Sequence, residues 1–233
     1  MNEMEQSGTS TLLQGAVQDL ASGVVSALRG GDHARTAPDG AGAEAGSLTL
    51  AAVRVVGADT LLPEILLDVP PDPVRLAVFR KAVEAFPPGA DAAPTVRWSH
   101  WAMARTLHAL DPSVPGEPAA APGADWLDRA DWRLLTHQLA VLAPLALPGE
   151  DCAVARAAAG RPVDVARGFV RAVRRRDWRQ ASGAGRWLTL LPGVPDTLGL
   201  ASGLDFVELM GGQDPLVALH VQAARLAPTG AAA

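Results

Sequence analysis

The chain of 233 residues has no tyrosine, four phenylalanines, one cysteine and one lysine. Each shortage removes a class of explanation. Cys152 alone cannot close a disulfide or build a multi-cysteine zinc or iron–sulfur site within the chain. The sole lysine, Lys81, follows no glycine-rich run, which excludes a phosphate loop ending in Gly-Lys-Ser/Thr. No histidine pair stands at i, i+4 with a glutamate beside it, so a zinc-protease helix is excluded as well. The stretch Ser182–Gly183–Ala184–Gly185 lacks the Rossmann spacing, and neither Ser182 nor Ser202 has the neighbours of a nucleophile elbow. Long apolar runs are missing too. The longest, Leu139 to Leu147, contains Pro144 and falls short of the roughly 20 residues a bilayer span needs. Met1–Asn2–Glu3–Met4–Glu5 is acidic, unlike a secretory leader, and with the lone cysteine it points to a reducing, cytoplasmic setting. No metal or cofactor is expected.

Alanine is what the chain has in excess, with 45 copies inside an apolar fraction of 48%. Alanine is the best helix former, and the aromatic residues that favour sheets are scarce. The expected fold is all-α: about eight to ten helices in antiparallel hairpins around an Ala/Leu/Val core. A helix is expected from about Ser10 to Arg29, where Leu13, Val17, Leu20, Val24 and Leu28 keep the helical period. The expected organisation is a frayed start and N-terminal amphipathic helix over 1–29, separable from the rest. A flexible linker over 30–46, a globular domain over 47–228 and a tail over 229–233 complete it. Leu48 to Val56 reads as helix because Ala51–Ala52 breaks any strand alternation.

Punctuation places further helices. Asp72–Pro73 and Asp214–Pro215 are caps followed by proline at the first helical position, and Gly211–Gly212 is a stop. Asp125 is expected to cap a helix carrying Leu127, Leu134, Leu135, Leu139 and Leu142, with His137 on its flank. Pro162 opens another, with Val163, Ala166, Val170 and Val173 as its core face. Asp131–Trp132–Arg133 recurs 46 residues later as Asp177–Trp178–Arg179, and each copy leads to Pro–Gly, at Pro148–Gly149 and Pro192–Gly193. That spacing would suit a two-helix repeat in a short solenoid, but chance recurrence in a biased composition is the stronger explanation.

Arginine outnumbers lysine 19 to 1. With the surplus of Ala, Gly and Pro this reads as codon bias, so arginine number alone says little; arginine placement says more. Eight arginines lie between Arg161 and Arg186 against Asp164 and Asp177, which gives that segment +6 and leaves −11 for the rest of a chain of net charge −5. Asp164, Arg167, Arg171, Arg174 and Trp178 follow at helical spacing, flanked by Arg175, Arg176 and Arg179. The plain explanation is dipole-stabilised arginines paired with acidic neighbours. The sharper expectation is that Arg167, Arg171, Arg174, Arg175, Trp178 and Arg179 hold an acidic protein or peptide partner. A non-catalytic binding or scaffold protein is therefore the leading expectation. Nucleic acid is a weaker partner, because a field of −11 opposes its approach.

The alternative expectation is an all-α enzyme or accessory subunit. Trp98, Trp101, Arg105 and His108 recur at +3, +4, +3 and could wall a pocket for an apolar or planar small molecule. His108 would exchange a proton and Asp111 would orient it. Packing is the plainer account of the same four residues. His100, within an apolar stripe, reads as a core imidazole with one hydrogen bond, and Cys152 as a buried structural thiol.

Overall fold

The computed structural model describes residues 2–30, 43–116 and 119–230. All regular structure among them is helical. In chain order the helices are α1 (Asn2–Leu28), α2 (Ala43–Val56), α3 (Leu62–Leu66), α4 (Pro73–Ala85), α5 (Pro94–Leu110) and α6 (Asp125–Asp128). They continue as α7 (Trp132–Val141), α8 (Ala153–Ala159), α9 (Pro162–Arg174), α10 (Trp178–Leu188), α11 (Leu200–Gly211) and α12 (Pro215–Gly230). A 3-10 turn at Gly57–Leu61 joins α2 to α3. Helix α1 begins before the expected Ser10, and most of the expected linker lies outside the described residues, as does the end of the tail.

The punctuation works as capping chemistry requires. The Asp72 carboxylate accepts from the Val74 amide at 2.7 Å, and Asp214 accepts from the Leu216 amide at 3.1 Å. Asp131 is also a cap: it accepts from the amides of Arg133 and Leu134 at 2.8 and 2.9 Å. This corrects the single helix expected from Asp125. The chain breaks after α6, and α7 restarts at Trp132 with a different face inward. Leu135, Thr136 and Leu139 are buried, whereas Leu134, His137 and Val141 are exposed. Asp177 caps α10 in the same way as Asp131 caps α7, accepting from the Gln180 amide. Gly149 and Gly193 both take φ +73° in turns beyond the ends of α7 and α10, so the recurrent Asp-Trp-Arg and Pro-Gly signals are matching helix starts and left-handed turns.

The core is built mainly from α4, α5, α7, α9, α10, α11 and α12, with Trp98, Phe79, Leu135, Leu139 and Trp187 among its most enclosed side chains. A second apolar cluster joins the two ends of the chain. Val17, Ala21, Val24, Val25 and Leu28 of α1 pack with Leu219 and Ala223 of α12 and with Val56 and Leu62. The periodic face read from the sequence of α1 is thus covered from within the same chain.

The helix that matters for the site is α9. Its buried face is Val165, Ala166, Gly168, Phe169 and Ala172. Val163 and Val170, expected in the core, are 51% and 42% exposed. Close approach fixes the phase: a Cβ on Gly168 would stand 2.0 Å from the Thr136 hydroxyl on α7. Only glycine lets α9 sit that deep, so the helix is rotated to point Gly168 inward, and Val163 and Val170 turn out.

A candidate basic groove

Helix α9 stops without a glycine. Arg176 takes φ +59°, the Asp177 amide donates to the Ala172 carbonyl at 3.0 Å, and the Arg176 amide donates to Val173 at 3.0 Å. This is a Schellman closure with arginine where glycine is usual. It separates Trp178 from the lane of arginines it was expected to continue. Trp178 instead opens α10 and meets Phe206 of α11 edge to face, 6.0 Å between ring centres.

The expected arginine face therefore divides. Arg161 is tied to Asp164 at 2.7 Å and to the carbonyls of Leu127 and Ala130. Arg179 pairs with Asp214. Arg186, counted above among the basic residues of the segment, is fully buried and grips Asp59 at 2.7 and 2.9 Å. Arg167 reaches Asp164 only at 3.7 Å. Among the described residues, no carboxylate lies within ion-pair distance of Arg171, Arg174 or Arg175.

Those last four arginines line one open groove. Its volume is about 880 Å³, and its remaining walls are Trp132, Val163, Ala166, Val170, Pro195, Thr197 and Leu198. The Trp132 ring is framed by cations: the guanidinium carbon of Arg133 is 4.6 Å from its centre and that of Arg171 is 6.0 Å. The groove thus combines an apolar floor with a cationic side. Arg167, Arg171, Arg174 and Arg175 were marked by sequence; Trp178 and Arg179 do not line it. The sequence puts Val163 and Val170 on an apolar face of α9, shows Trp132 only within a recurrence, and carries no signal at Pro195–Leu198. The alternation of valine with arginine at helical spacing was the one available clue.

The tryptophan wall of α5 is packed. Trp98 is fully buried and donates to the Gly123 carbonyl at 3.1 Å; Trp101 donates to Ala119 at 2.9 Å. Their rings meet edge to face at 5.0 Å, and Arg105 lies 5.4 Å from the Trp101 ring while pairing with Glu150 at 3.1 Å. Asp111 is bound to Ser113 and Arg80, whose hydrogen bonds, that of Ser113 first, hold its carboxyl below the usual range, so those are the groups it faces. His100 is half-buried rather than in the core, with Nε2 3.2 Å from the Val83 carbonyl. Cys152 is buried, and burial pushes its thiol up.

Among the described residues no cluster of three His, Cys, Asp or Glu side chains could hold a metal ion, and no helix is long and apolar enough to cross a membrane. No family model, curated protein or solved structure matches the chain.

Proposed function

We propose that this chain is a non-catalytic helical binding or scaffold protein that holds an acidic protein or peptide partner in the groove beside α9. The observation that carries the reading is the convergence of Arg167, Arg171, Arg174 and Arg175 on one open, apolar-floored groove. Three of these guanidiniums lack a carboxylate partner among the described residues. Such cations attract an anionic surface over a Debye length of about 10 Å at 0.1 M salt, and apolar contact with the floor then slows release. The net charge of −5 on the chain as a whole favours a local acidic patch over a long polyanion such as nucleic acid.

The test is the triple variant Arg171→Glu, Arg174→Glu, Arg175→Glu. An acidic protein that co-purifies with the tagged wild-type chain is expected to be lost from the variant, with the far-ultraviolet circular dichroism unchanged. Equal recovery on both chains overturns the reading.

A further inference from the structure

We infer that the occupant of the groove is a short amphipathic helix, lying along α9, with carboxylates recurring every three or four residues beside an apolar stripe. This deepens the reading above and rests on it. At about 100° per residue, Val163, Ala166, Val170 and Arg174 fall in one lane of α9, and Arg167, Arg171 and Arg175 in the lane beside it. Two parallel lanes, one mostly apolar and one cationic, run about 16 Å from Val163 to Arg174 at 1.5 Å per residue. A partner helix of three turns presents the complementary pair of lanes, because its own residues repeat with the same period.

Other anionic occupants fit less well. A polyphosphate or nucleic-acid backbone would leave the half-exposed Val163 and Val170 without a complement. An anionic amphiphile with a single head needs its cations gathered at one end, whereas here they are spread along the groove. Three carboxylates are next in sequence to lining residues: Asp131 beside Trp132, Asp164 beside Val163 and Asp196 beside Pro195; Asp131 is engaged by the amides of Arg133 and Leu134 as the cap of α7. Asp164 is held by Arg161, so it does not neutralise the lane further along. The wall is also stiff: α9 is locked to α7 at Gly168 and Thr136, and Phe169 is buried beneath it. A rigid ridge of fixed period selects an occupant of matching period.

The experiment uses the full chain and a fluorescein-labelled peptide of about 14 residues, with Leu at i, i+3 and i+7 and Glu in the adjoining lane. A scrambled peptide of the same composition, a poly-glutamate peptide and a DNA duplex serve as comparison probes. Anisotropy is read at about 50 mM and about 300 mM salt. The patterned peptide is expected to bind, to gain helical circular dichroism on binding, and to weaken with salt. The scrambled and poly-glutamate peptides are expected to bind at least about tenfold more weakly. The variant Arg171→Glu, Arg174→Glu and, separately, Val170→Asp are each expected to lose at least about tenfold. Val163→Asp replaces Val170→Asp if the latter melts early. Equal binding of the scrambled or poly-glutamate peptide, lost in the arginine variant, overturns the helical occupant and leaves the acidic-partner reading standing. Binding of the patterned peptide that survives the arginine variant overturns both. So does the failure of every peptide to bind, whether or not the duplex binds.

Discussion

At the scale of single residues, the most consequential group is the buried trio of Asp59, Arg186 and His220. Arg186 Nη1 donates to both Asp59 oxygens, Arg186 Nε donates to the Ala146 carbonyl at 3.1 Å, and His220 Nδ1 lies 3.6 Å from Asp59. Removing one partner strands a buried charge, so Asp59→Ala is expected to cost about 3–5 kcal/mol in urea unfolding. The double variant Asp59→Leu, Arg186→Met is expected to cost clearly less than the two single changes added. Additivity in the denaturation midpoints would show that the pair is not coupled. Burial holds His220 at about 4, chiefly against the attraction of Asp59, with Arg186 and the more distant Asp214 and Arg179 also acting on it. The folded imidazole is therefore neutral at a pH where the unfolded one takes a proton. Stability is full above about 6.5 and falls as the pH drops toward about 4, by roughly 3 kcal/mol in all. His220→Gln is expected to flatten that part of the stability curve. Asp111 and Asp131, held low by their hydrogen bonds, add a further loss at more acid pH, whereas burial raises Glu150 and so opposes it. Arg176 carries a different cost. An L-residue in the left-handed region is disfavoured by roughly 1–2 kcal/mol, so Arg176→Gly is expected to raise stability by up to about 1 kcal/mol. A lower melting temperature would contradict that account of how α9 ends.

At the scale of elements, two glycines decide which faces meet. A Cβ on Gly168 would collide with Thr136, and one on Gly183 would come 2.8 Å from the Ala140 carbonyl, so α7 packs closely on both α9 and α10. In an exposed helix Gly→Ala gains about 1 kcal/mol. Here Gly168→Ala is expected to cost about 1–3 kcal/mol, because the β-branched, fully buried Thr136 cannot move aside. It is also expected to weaken the patterned peptide, since Trp132 on α7 and Val163 and Val170 on α9 line the groove together. Retained stability in thermal unfolding would mean that the helices are less closely opposed. The same contact explains how far the sequence could be read. The helix starts at Asp72–Pro73 and Asp214–Pro215 are legible, because caps and prolines act within a turn or two of themselves. The core face of α9 is not. Its valines give one plausible apolar stripe and its Ala, Gly and Phe another, and only the position of α7 selects between them.

At the scale of the whole molecule, the chain closes on itself. Helix α1 covers α12 through Ala21, which is fully enclosed, and through Val24 and Leu28. Ala21→Glu is expected to prise the two ends apart, with faster limited proteolysis and a stability loss of at least about 2 kcal/mol. An unchanged cleavage rate would show that α1 is held by other contacts. Charge is also organised at this scale. An acidic body presents a cationic groove, so affinity for the patterned peptide is expected to fall with ionic strength mainly through slower association.

The sequence by itself determined the helical class, the helix starts at Pro73, Pro162 and Pro215, the stop at Gly211–Gly212 and the local excess of arginine, because propensity, capping and charge count depend on near neighbours along the chain. Tertiary structure alone decided which arginines are free. Arg186 meets a carboxylate 127 positions away, Arg179 meets one 35 positions away, and Arg171, Arg174 and Arg175 meet none among the described residues. It also turned Val163 and Val170 outward to floor the groove. These outcomes depend on contacts between distant segments, and a stretch of residues carries no record of which distant segment will be packed against it.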